Sequence, residues 1–141
     1  MKNTRGFVLD SWPLLAFLQD EPCGVDVEAM FKEALKHERR LLICVVNWGE
    51  VFYTLHRRLG PSKMEEILMS IMELPLEIVG VDAADLTLTR QAGLFKSRHS
   101  MSYADCFAAA LAKVKGAVLV TGDREFKAVE GEVRIHWLKA A

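Results

Sequence analysis

Apolar positions along this chain fall into short runs separated by stretches of helical spacing. Phe7-Val8-Leu9 is a brief apolar run ending at Asp10-Ser11, beyond which Trp12, Leu15 and Leu18 recur at helical intervals, with Pro13 tolerated in a first turn. This predicts a strand feeding a helix. A second amphipathic helix is expected from Asp26 to about Lys36, with Val27, Met30, Phe31 and Leu35 as its apolar stripe. Leu41 to Val46 is continuously apolar and rich in β-formers, which predicts a buried strand, and Asn47 then reads as the N-cap of a helix from Trp48 to about Arg58.

Gly60-Pro61 breaks the chain and opens a methionine-rich helix, Ser62 to about Glu73, ahead of a third strand from Leu76 to Val81. Asp82 and Asp85 have the spacing of a helix-opening pair, so a helix is expected from about Ala83 to Phe95, followed by a basic loop, Lys96-Ser97-Arg98-His99. Ser102 and Asp105 repeat that pattern before a helix from Cys106 to Lys115, for which Gly116 reads as the terminating glycine. Ala117 to Val120 is a fourth strand, Thr121-Gly122-Asp123 a turn, Glu125 to Val129 a short helix and Val133 to Trp137 a last strand. No internal repeat, linker or low-complexity segment interrupts the pattern, so residues 1–141 are expected to form a single domain.

Strands alternating with helices imply an α/β fold, a mostly parallel sheet covered on both faces with right-handed crossovers. In such a fold each strand-to-helix turn lies on the edge formed by the carboxyl ends of the strands. Asp10, Glu50, Asp105 and Asp123 all map to that edge. If the first and fourth strands are neighbours at the topological switch point, Asp10 and Asp123 approach each other there, and Glu50 and Asp105 reach in from helix starts.

Several carboxylates from separate elements suit a hard divalent cation such as Mg²⁺ or Mn²⁺, which takes oxygen ligands and tolerates bound water. One cation, or a pair, is able to activate water and stabilise the entering and leaving oxygens of a phosphodiester cleavage. Taken singly, each acid also has a purely structural reading. Asp10 is able to cap the first helix, Asp123 suits an ordinary turn, and Glu50 and Asp105 sit three residues past their caps, where a carboxylate complements the helix dipole. Asp82 with Asp85 repeats that spacing without any implied chemistry.

Charge and composition narrow the picture. The 141 residues carry 18 Lys and Arg against 19 Asp and Glu, a net charge of -1, so any nucleic-acid contact must be local. Lys96, Arg98 and His99 are the best candidates for it, with Arg124 as a further one, although a solvated loop explains the first three equally well. Ser11 and Thr121 either hold a metal-bound water or serve as caps. Cys23, Cys44 and Cys106 are odd in number and lack metal-site spacing; they read as free thiols of a reducing cytoplasm. Met1 to Arg5 is polar and no apolar run approaches a membrane span, so a soluble cytoplasmic protein with no membrane contact is expected.

Four blocks, Phe7-Val8-Leu9-Asp10-Ser11, Val45-Val46-Asn47-Trp48-Gly49-Glu50-Val51, Ser102 to Ala112 (Ser-Tyr-Ala-Asp-Cys-Phe-Ala-Ala-Ala-Leu-Ala) and Val118 to Phe126 (Val-Leu-Val-Thr-Gly-Asp-Arg-Glu-Phe), together resemble a PIN domain. Within that group they resemble the VapC-type toxins of bacterial and archaeal toxin–antitoxin pairs. The resemblance implies a three-layer α/β/α sandwich and a Mg²⁺- or Mn²⁺-dependent endoribonuclease. It also implies a homodimer and a cognate antitoxin that places a basic residue at the acids. Asp10, Glu50, Asp105 and Asp123 match the family's acidic positions, and Thr121 the hydroxyl near the last of them. Asn47 stands where relatives more often carry Ser or Thr, and Trp12 is bulkier than the residue expected there. The competing readings are a catalytically silent RNA- or protein-binding module of the same fold, an aspartyl-phosphate phosphotransferase and a receiver-type domain. The last two lack a second acid near Asp10, where Trp12 stands instead.

Overall fold

The computed structural model describes residues 6–139, so the polar stretch Met1 to Arg5 lies outside the described residues. The elements are β1 Phe7–Leu9, α1 Ser11–Leu18, α2 Gly24–His37, β2 Leu41–Cys44, α3 Val45–Leu59, α4 Pro61–Met72 and β3 Glu77–Val79. They continue with α5 Thr87–Arg98, α6 Tyr103–Lys115, β4 Val118–Thr121, a 3₁₀ turn Arg124–Val129 and β5 Ile135–Trp137. The five strands form one sheet in the order β3-β2-β1-β4-β5, and every pairing is parallel. β1 is flanked by β2 and β4, so the chain leaves β1 toward one edge and later returns to its other side. The expected switch point is therefore at β1 and β4.

Period-two alternation divides the strands between two cores. Val8, Leu42, Cys44 and Leu119 face a layer built from α5, α6 and the 3₁₀ turn, including Phe95, Leu111 and Phe126. Leu9, Ile43 and Val120 face α1 to α4, where Leu14, Val27, Phe31, Leu55 and Met64 are buried. The result is the expected α/β/α sandwich. α6 is the most deeply embedded helix: Cys106 through Ala112 are all buried, which explains an apolar sequence with no polar face in that stretch. It starts at Ser102, whose hydroxyl accepts from the Asp105 amide at 3.1 Å, and ends at Gly116, which adopts the left-handed φ of 64° that glycine takes without steric cost. Among the described residues no helix is long and apolar enough to cross a membrane, and Cys23, Cys44 and Cys106 are buried free thiols.

Several boundaries differ from the sequence expectation: α6 begins at Tyr103 and not Cys106, β3 and β5 are shorter than expected, and three further differences bear on the site or its surroundings. β2 ends at Cys44, and Val45 and Val46 already belong to α3, so Asn47 lies inside the first turn and is not its cap. A run of apolar β-formers cannot by itself mark where a strand gives way to a buried helix start. Asp82 and Asp85 do not open a helix at Ala83. Asp82 Oδ1 accepts from the Ala84 amide at 2.8 Å, while Asp85 Oδ1 accepts from the Thr87 amide at 3.1 Å and hydroxyl at 2.7 Å. These local bonds hold a turn, and the helix begins only at Thr87. At its other end α5 runs on through Lys96, Ser97 and Arg98, so the expected basic loop is a last helical turn, where cations complement the dipole.

Candidate metal centre

Asp10 is carried by the residue directly after β1, and Thr121 is the last residue of β4. Because Leu9 is in register with Val120, the two side chains meet on the carboxyl edge of the sheet. Thr121 Oγ1 donates to Asp10 Oδ2 at 3.1 Å and accepts from the Asp123 amide at 3.0 Å. The single hydroxyl proton is thereby directed at Asp10. Both residues are buried, Asp10 at 1% and Thr121 at 0% exposure. Asp10 stands at the N-cap position of α1 but makes no capping bond, and among the described residues its buried Oδ1 has no hydrogen-bond partner. The purely structural reading of this residue as a cap therefore fails.

Asp105 enters from the first turn of α6 and is also buried, and Glu50 enters half-buried from α3. Asp123 follows β4 and its Oδ1 accepts from the Glu125 amide at 2.9 Å, so this acid does cap the 3₁₀ turn. Carboxylate oxygens of Asp105, Asp123 and Glu125 lie within 4.8 Å of one another. Asp10 and Glu50 stand outside this close triplet but are its carboxyl neighbours. Glu125 was not among the expected acids; its signal was the spacing Asp123-Arg124-Glu125 in a tight turn, which folds the second acid back toward the first.

The electrostatics follow from burial and like charge. Burial, then the neighbouring carboxylates Asp105, Asp123 and Glu50, holds Asp10 well above the usual carboxylate range, against the lowering effect of the Thr121 hydroxyl. Burial, then Asp123 and Glu50, pushes Asp105 up to about 7. The charges acting most strongly on both residues are other acids. An all-carboxylate donor set and an orphaned buried oxygen on Asp10 fit a hard divalent cation, which would relieve the repulsion and complete the unmet oxygen.

The remaining expected residues are placed differently. Ser11 is the first residue of α1. Lys96 Nζ donates to the Met101 carbonyl at 2.7 Å, Arg98 approaches Glu132 at 3.9 Å, and the Arg124 guanidinium lies over the Trp137 ring at 5.1 Å. His99 follows α5 with its Nε2 buried and unpartnered. Lys96, Arg98 and Arg124 are thus each engaged by other groups of the fold. Trp12, bulkier than the residue expected there, packs its indole on Gly122, where any Cβ would collide with the ring.

The fold is thus an all-parallel α/β/α sandwich with acids gathered at its switch point. The PIN domain model matches residues 7–132, and the chain belongs to that family. It is 27% identical over 124 residues to ribonuclease VapC30 of Mycobacterium tuberculosis, covering 85% of this chain and 92% of the relative. To ribonuclease VapC of Mycolicibacterium smegmatis it is 28% identical over 124 residues, covering 85% and 93%. Its fold is similar to that of DNA-bound VapBC from Salmonella typhimurium, with a TM-score of 0.73, 19% identity and coverage of 93% of this chain and 96% of that one.

Proposed function

We propose that this PIN-domain protein is a divalent-metal-dependent endoribonuclease and the toxin of a toxin–antitoxin pair, acting as a single domain. The observation that carries the reading is the buried carboxylate cluster whose strongest charged neighbours are themselves acids, with one Asp10 oxygen left unpaired. Curated relatives named as VapC ribonucleases support the substrate class.

Asp10, Asp105 and Asp123, with Glu50 and Glu125 beside them, would hold Mg²⁺ or Mn²⁺. When bound, the cation supplies Lewis acidity for an in-line displacement at phosphorus. Thr121 fixes the Asp10 carboxylate and the Asp123 backbone with one hydroxyl, so both acids are oriented before the metal arrives. Water adds across the P–O bond, its oxygen joining phosphorus and its proton leaving with the displaced ribose oxygen. Without metal, burial and the neighbouring acids push Asp105 up to about 7, so its proton would be released as the cation binds.

A partner that inserts a cationic side chain among these acids would satisfy the same charge deficit as the metal, which is the chemistry expected of a cognate antitoxin. VapBC complexes among the structures of similar fold support this partner. A homodimer in a reducing cytoplasm, consistent with three buried free thiols, completes the proposal. Purified wild-type protein, Asp10→Asn and Asp123→Asn are incubated with an RNA pool in Mn²⁺ or in chelator. Cleavage confined to the wild type with metal is the expected result; cleavage that survives either substitution or the chelator overturns it.

A further inference from the structure

We propose that Asn47 is a positioning residue for the metal centre, a buried amide that fixes the Glu50 carboxylate against the backbone carrying Asp105. The inference rests on the metal-site reading above and adds a residue to it. Asn47 is 0% exposed in the first turn of α3. Its Nδ2 donates to Glu50 Oε1 at 3.1 Å and to the Ala104 carbonyl at 3.0 Å. Both protons of one amide nitrogen are thus committed, one to an acid on α3 and one to the residue preceding Asp105 on α6. Two acceptors on the same side fix which end of the amide faces them, because a flipped side chain would set its own oxygen against both.

The amide oxygen argues that this arrangement is not kept for stability. Among the described residues the buried Asn47 Oδ1 has no hydrogen-bond partner, so the side chain carries a desolvation cost that an apolar residue of similar size would avoid. What the amide provides in return is order. Glu50 is half-buried and its side chain has rotamers to lose, so a single donor held by two helices keeps its carboxylate aimed while also pinning α6 at the turn that presents Asp105. Sequence spacing assigned Asn47 to a cap; with α3 beginning at Val45, the residue is free for this other task.

The test is a double-mutant cycle on Mn²⁺ affinity, measured by titration calorimetry on the full chain without RNA. The four proteins are wild type, Asn47→Ala, Glu50→Gln and the double variant, with circular dichroism confirming the fold. If Asn47→Ala does not fold, Asn47→Ser, too short to reach both acceptors, takes its place in the same cycle. The expected result is a loss of about tenfold or more for Asn47→Ala and little further loss when it is added to Glu50→Gln. Equal losses in both backgrounds, or a loss at Asn47 with none at Glu50, overturn the proposal and leave Asn47 structural. No Mn²⁺ binding by the wild type overturns the metal-site reading itself, a different outcome from additive losses in a protein that binds.

Discussion

Thr121 and Asp10 are 111 positions apart in sequence, yet the Thr121 hydroxyl donates to the Asp10 carboxylate at 3.1 Å because β4 and β1 lie side by side in register. The same oxygen receives the Asp123 amide at 3.0 Å, so one side chain orients two acids. Thr121→Val keeps the shape and removes both bonds, leaving a buried acceptor and a backbone donor unpaired. It should cost about 1–3 kcal/mol of stability, read by denaturant unfolding in chelator. Because the lost bond is the one that lowers the Asp10 pKa, Mn²⁺ binding should also move to higher pH. Unchanged stability would show that the hydroxyl is not engaged.

Asp105 sets a pH dependence of definite sign. With a folded pKa of about 7 against an ordinary 3.8, the folded protein retains a proton that the unfolded chain has released between those values. Its contribution is fully present below the lower value and is lost as pH rises through about 7; Asp10 acts in the same direction. In chelator, the melting temperature should therefore fall from about pH 5 to about pH 8. Protons and metal compete for the same oxygens, so the rise caused by Mn²⁺ should be larger at the alkaline end. A metal-induced shift that shrinks with rising pH would contradict this.

Asp10→Asn isolates the cost of burying charge. In chelator, at a pH alkaline enough to ionise Asp10, it should raise the melting temperature by about 2–5 °C, since it removes a buried carboxylate held among other acids. With Mn²⁺ it should show no stabilisation, and RNA cleavage should drop by about 100-fold or more. Asp82→Asn, in an exposed turn outside the acidic cluster, should retain cleavage. Loss of activity in that control would point to a wider site.

Trp12 and Gly122 form a matched pair beside the acids. Gly122→Ala drives a methyl into the indole and should destabilise by about 1–3 kcal/mol, with a shift in tryptophan fluorescence. Adding Trp12→Ala should recover part of that loss, because the clash requires both partners. Strictly additive losses would mean that the contact is not made.

The depth of order legible in the sequence differed from element to element. The run Phe7-Val8-Leu9 ending at Asp10, the Ser102–Asp105 helix start and the Gly116 stop were readable because each is a local signal: a short apolar run, a cap and a left-handed terminus. The start of α3 was not, since Val45 and Val46 suit a strand and a buried helical turn equally well, and only packing against the sheet decides between them. The Asp82–Asp85 turn was misread because acids that open helices also close local turns, and the two are distinguished by a few hydrogen bonds.

By itself, the sequence determined the alternation of strands and helices, the side of the sheet on which the acids would emerge and the family to which the chain belongs. Tertiary structure decided what those acids experience. Asp10 is perturbed because β4 returns beside β1 and buries it under Thr121, Glu125 joins Asp105 and Asp123 because a 3₁₀ turn folds it back, and Asn47 bridges two helices because α3 starts early. Local propensity acts over a few residues, whereas desolvation and Coulomb repulsion act between groups that only a closed fold brings together.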